Sequence, residues 1–412
     1  MKRVLFLIFS VVLLASFAIA MWQDTFREWA ATQWTLRRTL HGEERRSVPS
    51  GIQQLWVTNL GRVDRCTTCH LAIDKPQIAL GEEPFTAHPG KYLEWHPVEK
   101  FGCTVCHGGQ GLATEASAAH GDVKHWEEPL LRGELVQASC RSCHGDVATI
   151  AQEAPKLAQG HALFQAAGCY GCHAIKDFGQ SVSVDLAEVG SKSYLLMEAD
   201  LEMMGAPHDR IHWLMTKLEH PRVLNPGVPI EQLPSGEEEV FPSAMPRFGF
   251  SHEEAEALTV YLLSLTDEDV PASYMASMET KGTRPALVSP IEQGRWVFER
   301  YGCAGCHGTE GLGGRSNWNA GLGGEVPSLI YVKAYYENHV EALKDLIRSG
   351  RQPVPRADAA RPAPSLYMPA WKDKISEDDL HVLVAYLFSL AEYLPTSAAL
   401  ESSASVPSIP PQ

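Results

Sequence analysis

Residues 160–173, Gly160-His-Ala-Leu-Phe164-Gln-Ala-Ala-Gly-Cys169-Tyr-Gly-Cys172-His173, recur in outline at 294–307 as Gly294-Arg-Trp-Val-Phe298-Glu-Arg-Tyr-Gly-Cys303-Ala-Gly-Cys306-His307. In both, Gly lies nine residues before the first Cys and Phe five before it. The repeat continues downstream through Met245-Pro246-Arg247-Phe248 and Met368-Pro369-Ala370-Trp371. Then come Ser251-His-Glu-Glu and Ser376-Glu-Asp-Asp, with Tyr261 and Tyr386 ten residues after each Ser. Ser followed by acidic residues marks a helix start. Gly on the first helix lets this last helix cross close to it, with the aromatic residues packing at the crossing. An internal repeat of this kind predicts two successive all-α units.

The ten cysteines form five pairs with two residues between, and each pair is followed at once by His. Besides the two pairs above, these are Cys66-Thr-Thr-Cys69-His70, Cys103-Thr-Val-Cys106-His107 and Cys140-Arg-Ser-Cys143-His144. Two thiols three positions apart can each form a thioether to one haem, and the next residue's imidazole then binds the iron. Disulfides do not explain the spacing. A zinc site would combine two Cys pairs and needs no His after each. The motifs therefore predict five covalently bound haems c, held by Cys66, Cys69, Cys103, Cys106, Cys140, Cys143, Cys169, Cys172, Cys303 and Cys306. His70, His107, His144, His173 and His307 are the expected proximal ligands.

The chain of 412 residues is long enough for several domains. Its net charge of −15 argues against a nucleic-acid partner, which needs a basic face. Lys2 and Arg3 precede an uncharged run, Val4–Trp22, long enough to span a bilayer with its positive end in the cytoplasm. Ala18-Ile19-Ala20 has the form of a signal-peptidase site, the rival reading. The length of the run, and residues 23–40, which lack Gly and Pro and read as a helix continuing outward, favour an anchor. Either way the remainder is expected on the periplasmic side of the inner membrane.

The two C-terminal stretches, about 158–268 and 291–392, resemble class I cytochrome c domains. That resemblance implies Met245 and Met368 as distal iron ligands, with Met197, Met203, Met204 and Met215 as competitors in the first domain. It also implies that Pro327 orients His307; no counterpart is evident in the first domain. Residues 66–144 resemble the haem-packed multihaem cytochromes in motif density and in the Phe101-Gly-Cys-Thr-Val-Cys-His-Gly-Gly-Gln run. The expected architecture is mainly α: a transmembrane helix (1–22), a helical extension (23–50), a trihaem domain with little regular structure (51–157), a first cytochrome domain (158–268), a linker (269–290), a second cytochrome domain (291–392) and a disordered tail (393–412).

No Met lies between Met21 and Met197, so the first three haems are expected to have His on both sides. His41, His88, His96, His120, His125 and His161 are available. His88, His96 and His120 are the chosen distal ligands, with His125 in reserve and no assignment of which serves which haem. A surface role is the competing reading for each. The Glu237–Glu239 run reads as a solvated loop, and residues 348–365 as a loop that either meets a partner or covers a haem edge.

A His/Met iron lies at higher potential than a His/His iron. The sequence therefore leads to a membrane-anchored electron carrier rather than an enzyme, with no catalytic residue assigned. Resemblance to c subunits of bacterial quinol-oxidising complexes implies electrons arriving from such a complex. They would leave to a soluble cytochrome, oxidase or reductase. The alternative is a multihaem reductase or peroxidase with one open haem site.

Overall fold

The computed structural model describes residues 2–393, except residues 26, 125, 177, 181, 198–208, 222–227, 231–238, 242–244, 268–269, 272, 276–288 and 322. His125, Met203 and Met204 and most of the tail from 393 lie outside the described residues. Two units divide the chain: residues 1–143 with 269–275, and residues 144–268 with 276–412.

The first unit begins with helix α1, Lys2–Thr25. Its residues 2–23 are long and apolar enough to cross a membrane, and none of that span is buried against the protein. Such a helix serves as an anchor or as a signal sequence. The sequence predicts one helix continuing through residues 23–40, but the structure divides it. Arg27 is extended (φ −65°, ψ 145°), and α2 spans Glu28–Thr39. The reason lies in what α2 must cover. Leu36 is fully buried in a small cluster with Leu40, Val48, Leu71, Ile78 and Phe85. Buried Gln33 donates to the carbonyls of Gly51 (2.8 Å) and Thr68 (3.1 Å). The Glu28 carboxylate accepts from Ala116 N–H at 2.9 Å. These contacts fix the place of α2, which begins after the extended Arg27.

Regular structure is otherwise sparse in this unit. Strand β1, Leu55–Val57, pairs antiparallel with β2, Arg62–Asp64, with Leu55 opposite Asp64. The haem motifs sit on single turns: Cys66–Thr68, Thr104–His107 and Arg141–His144.

The second unit holds two helical domains with the same plan. In the first, α3 (Pro155–Ala166), α4 (Arg210–Glu219) and α5 (His252–Leu263) surround the core. In the second, α6 (Pro290–Arg300), α7 (Val340–Ser349) and α8 (Glu377–Ser389) do so. Pro occupies the first turn of α3 and of α6, where its missing N–H costs no helical bond. Ser251 and Ser289 form reciprocal capping boxes with Glu254 and Glu292, and Ser376 accepts from Asp379 N–H. Each cap is worth about 1 kcal/mol.

The predicted crossing is present in both domains. A Cβ on Gly160 would overlap the Ala257 carbonyl of α5, and one on Gly294 the Val382 carbonyl of α8. Phe164 and Tyr261 meet with ring centres 5.2 Å apart, Phe298 and Tyr386 at 5.3 Å. Phe164 and Phe298 are almost fully buried, which contributes roughly 2–3 kcal/mol each. Strands β3 (Ala174–Ile175) and β4 (Phe178–Gly179) form a small hairpin just after the first domain's Cys motif.

Candidate functional site

Each motif lies on a short helical turn. Gly168 (φ 72°) and Gly302 (φ 74°) supply the left-handed residue immediately before Cys169 and Cys303. Cys169 N–H and Cys303 N–H follow directly. The carbonyl of Cys169 then accepts from His173 N–H at 2.9 Å, the Cys66 carbonyl from His70 at 3.0 Å, and the Cys103 carbonyl from His107 at 3.0 Å. All ten cysteines are free of disulfides. Burial pushes the Cys169 and Cys303 thiols up to about 12 and the Cys106 and Cys140 thiols up to about 11. Among the described residues no three His, Cys, Asp or Glu side chains converge on one ion.

Three of the motif imidazoles have Nδ1 against a backbone carbonyl. His307 Nδ1 lies 3.2 Å from the Pro327 carbonyl, and His107 Nδ1 lies 3.1 Å from that of Leu131. His173 Nδ1 lies 2.8 Å from the Val184 carbonyl, the first-domain counterpart that sequence reasoning did not find. A carbonyl can only accept, so Nδ1 carries the proton and Nε2 presents its lone pair. Burial lowers the pKa of His70, His173 and His307, favouring the neutral ligand form. His70 Nδ1 instead faces the Glu83 carboxylate at 3.7 Å.

The structure brings two of the three chosen distal histidines to a motif His. His88 and His107 have ring centres 6.2 Å apart, and His70 and His120 stand at 6.3 Å. Two imidazoles bound on opposite sides of one metal through Nε2 at ~2 Å each would hold their centres ~6 Å apart. His88 Nδ1 lies 2.8 Å from the Pro89 carbonyl, so its Nε2 is also free to bind. His120 differs: its Nδ1 lies 3.3 Å from the Arg132 guanidinium, which only donates. As a ligand through Nε2, His120 would give up that contact. His96 packs against Phe101 (5.1 Å), with its Nδ1 3.1 Å from the Tyr92 carbonyl.

Met368 is partly buried on the second domain's core, and its carbonyl accepts from Arg351 N–H at 2.8 Å. Met245 is half-buried ahead of α5. Met197 is buried, whereas Met215 is half-buried on α4.

Two further features escaped the sequence reading. Asp64, 2 % exposed at the end of β2, accepts from Cys103 N–H (3.0 Å) and Thr104 N–H (3.2 Å). The Cys66 thiol points at the same carboxylate (3.7 Å), so Asp64 joins the first two motifs. Ser139 Oγ donates to the Cys106 carbonyl (2.7 Å), joining the second motif to the third. Trp213 Nε1 and Arg315 Nε are buried donors without a hydrogen-bond acceptor among the described residues. A haem carries two carboxylates, the kind of acceptor these donors lack. The residues present thus fit the group the motifs predict.

Residues 157–266 match the family described as cytochrome c, and residues 289–387 that described as cytochrome C oxidase, cbb3-type, subunit III. No curated protein and no solved structure matches the chain. The C-terminal half therefore contains two cytochrome c-type domains, and the chain is an electron-transfer protein carrying covalently bound haem c.

Proposed function

We propose that this chain is a membrane-anchored pentahaem cytochrome c. It takes electrons from a membrane quinol-oxidising complex and passes them to periplasmic acceptors, as a subunit of that complex or as a tethered carrier. The observation that carries the reading is the shared motif geometry. His107, His173 and His307 sit on different turns, yet each has Nδ1 held by a backbone carbonyl and Nε2 left for iron. His88 and His120 serve as distal ligands of the second and first haems, and His96 is kept for the third. Met245 and Met368 serve the fourth and fifth. Bound there, haem c supplies a reversible one-electron couple. The protein's part is to fix the ligands that set each potential: His/His in the trihaem stretch and His/Met in the two C-terminal domains. Electrons then run downhill from the trihaem stretch to the two C-terminal domains.

Extraction in mild detergent, followed by mass spectrometry and spectropotentiometry, tests this proposal. A stoichiometric quinol-oxidising partner, five haems by pyridine haemochrome and two high-potential centres are expected. High-spin haem that binds carbon monoxide rapidly in the wild-type protein would favour the reductase or peroxidase alternative.

A further inference from the structure

Gly171 and Gly305 occupy the same position in their respective motifs, one residue before the second Cys. Neither has a left-handed backbone, so local conformation would accept a side chain at both. What forbids one is the other domain. A Cβ on Gly171 would overlap the Gly302 carbonyl, and one on Gly305 the Gly168 carbonyl. In return, a Cβ on Gly302 would meet the Gly171 amide and one on Gly168 the Gly305 amide. The contact is reciprocal between corresponding positions, the signature of an isologous, two-fold interface. Where such an axis would pass, the corresponding sulfurs of Cys172 and Cys306 lie 4.0 Å apart. That is about twice a disulfide bond of ~2.05 Å, so the two touch without bonding.

The hairpin after the first motif adds to the same junction. Phe178 faces Tyr301 with ring centres 6.0 Å apart, and the Arg300 guanidinium lies 5.2 Å from the Phe178 ring. Gln180 Nε2 donates to the carbonyl of Ala370 (3.3 Å), two residues beyond Met368. The domains are thus joined along their attachment loops.

We propose that the two C-terminal domains form a built-in pseudo-dimer in which the Cys172 and Cys306 tethers meet, making the fourth and fifth haems one electronically coupled pair. This inference rests on the haem reading above. The step it serves is a plain one-electron exchange. One iron goes from ferrous to ferric as the other goes from ferric to ferrous, with no bond broken and no proton moved. Glycine is required at positions 171 and 305 because only backbone-to-backbone packing lets the two tethers touch.

The test uses the full-length holoprotein. Pyridine haemochrome first counts haems; fewer than five in the wild type overturns the haem reading and is scored separately. Circular dichroism in the Soret region is then followed as the two high-potential His/Met haems are selectively reduced. Their reduction is tracked by loss of the near-infrared methionine–iron band. A two-signed couplet that changes with this reduction is expected; its absence in a five-haem wild type overturns the pair. Gly171→Ala combined with Gly305→Ala, with all five haems retained, should remove most of the couplet. An unchanged couplet overturns the assigned contact. If the double variant loses haem, the wild-type couplet decides.

Discussion

The imidazoles of His88 and His107 lie with ring centres 6.2 Å apart and planes inclined at 72°. Both Nδ1 atoms face backbone carbonyls, which leaves Nε2 as the lone-pair nitrogen of each ring; on the proposed reading the second haem's iron would lie between them. Near-perpendicular ligand planes leave two iron d orbitals almost degenerate, which gives a strongly anisotropic low-spin signal. The His70–His120 pair, tilted at 44°, should give a more rhombic one. His88→Ala should remove the anisotropic component and create a single carbon monoxide-binding haem. His120→Ala should remove the rhombic one. Electron paramagnetic resonance of the oxidised protein reads both; loss of the same signal in the two variants contradicts the pairing.

Asp64 fixes the second motif from a strand that belongs to the first. Its carboxylate is buried and accepts two backbone N–H groups, from Cys103 and Thr104. Asp64→Ala leaves both donors unpaired in a low-dielectric site, at a cost of about 1–3 kcal/mol. Asp64→Asn keeps one acceptor and should lose less. Mass spectrometry of the haem peptides should show incomplete attachment at Cys103 and Cys106 in the Ala variant, with the last two motifs fully occupied.

These two sites mark the limit of what a sequence discloses. The Cys-Cys-His motifs, the repeated Gly160 and Gly294, and the capped helices at Ser251 and Ser376 were readable because each is a local pattern with one physical cause. Asp64 was not. An acid in a short strand becomes a staple only when the topology brings unpaired amides to it. Arg27 likewise lies in a stretch without helix breakers. Only the burial of Gln33 and Leu36 explains why the helix stops there. The pairing of His88 with His107 also depends on how loops with little regular structure fold back. The match of Gly171 to Gly302 exists only between domains.

At the helix crossing, intrinsic preference and packing oppose each other, which makes the site informative. Ala is favoured over Gly in a helix by about 1 kcal/mol. Yet a methyl at position 160 or 294 would overlap a carbonyl of the facing helix, and backbone cannot swing aside as a flexible side chain can. Overpacking of this kind costs about 1–3 kcal/mol or more. Gly160→Ala and Gly294→Ala should therefore each lower the thermal midpoint of the holoprotein. A rise in the midpoint, followed by circular dichroism, would show that propensity wins and that the crossing is looser than described.

Met245 and Met368 precede α5 and α8 at corresponding places, each followed by Pro, which restricts the backbone carrying the thioether. A thioether favours ferrous iron, whereas a second imidazole lowers the potential. Met245→His and Met368→His should each halve the near-infrared methionine–iron band, keep the haem low-spin and move one high-potential centre downward. Met197 is the buried competitor in the first domain, so Met197→Leu is the control. If Met197→Leu removes half of the band and Met245→His does not, the first domain's distal ligand is Met197. In that case Met245-Pro246 is a packing element ahead of α5, and the two domains share their fold without sharing the position of their axial ligand.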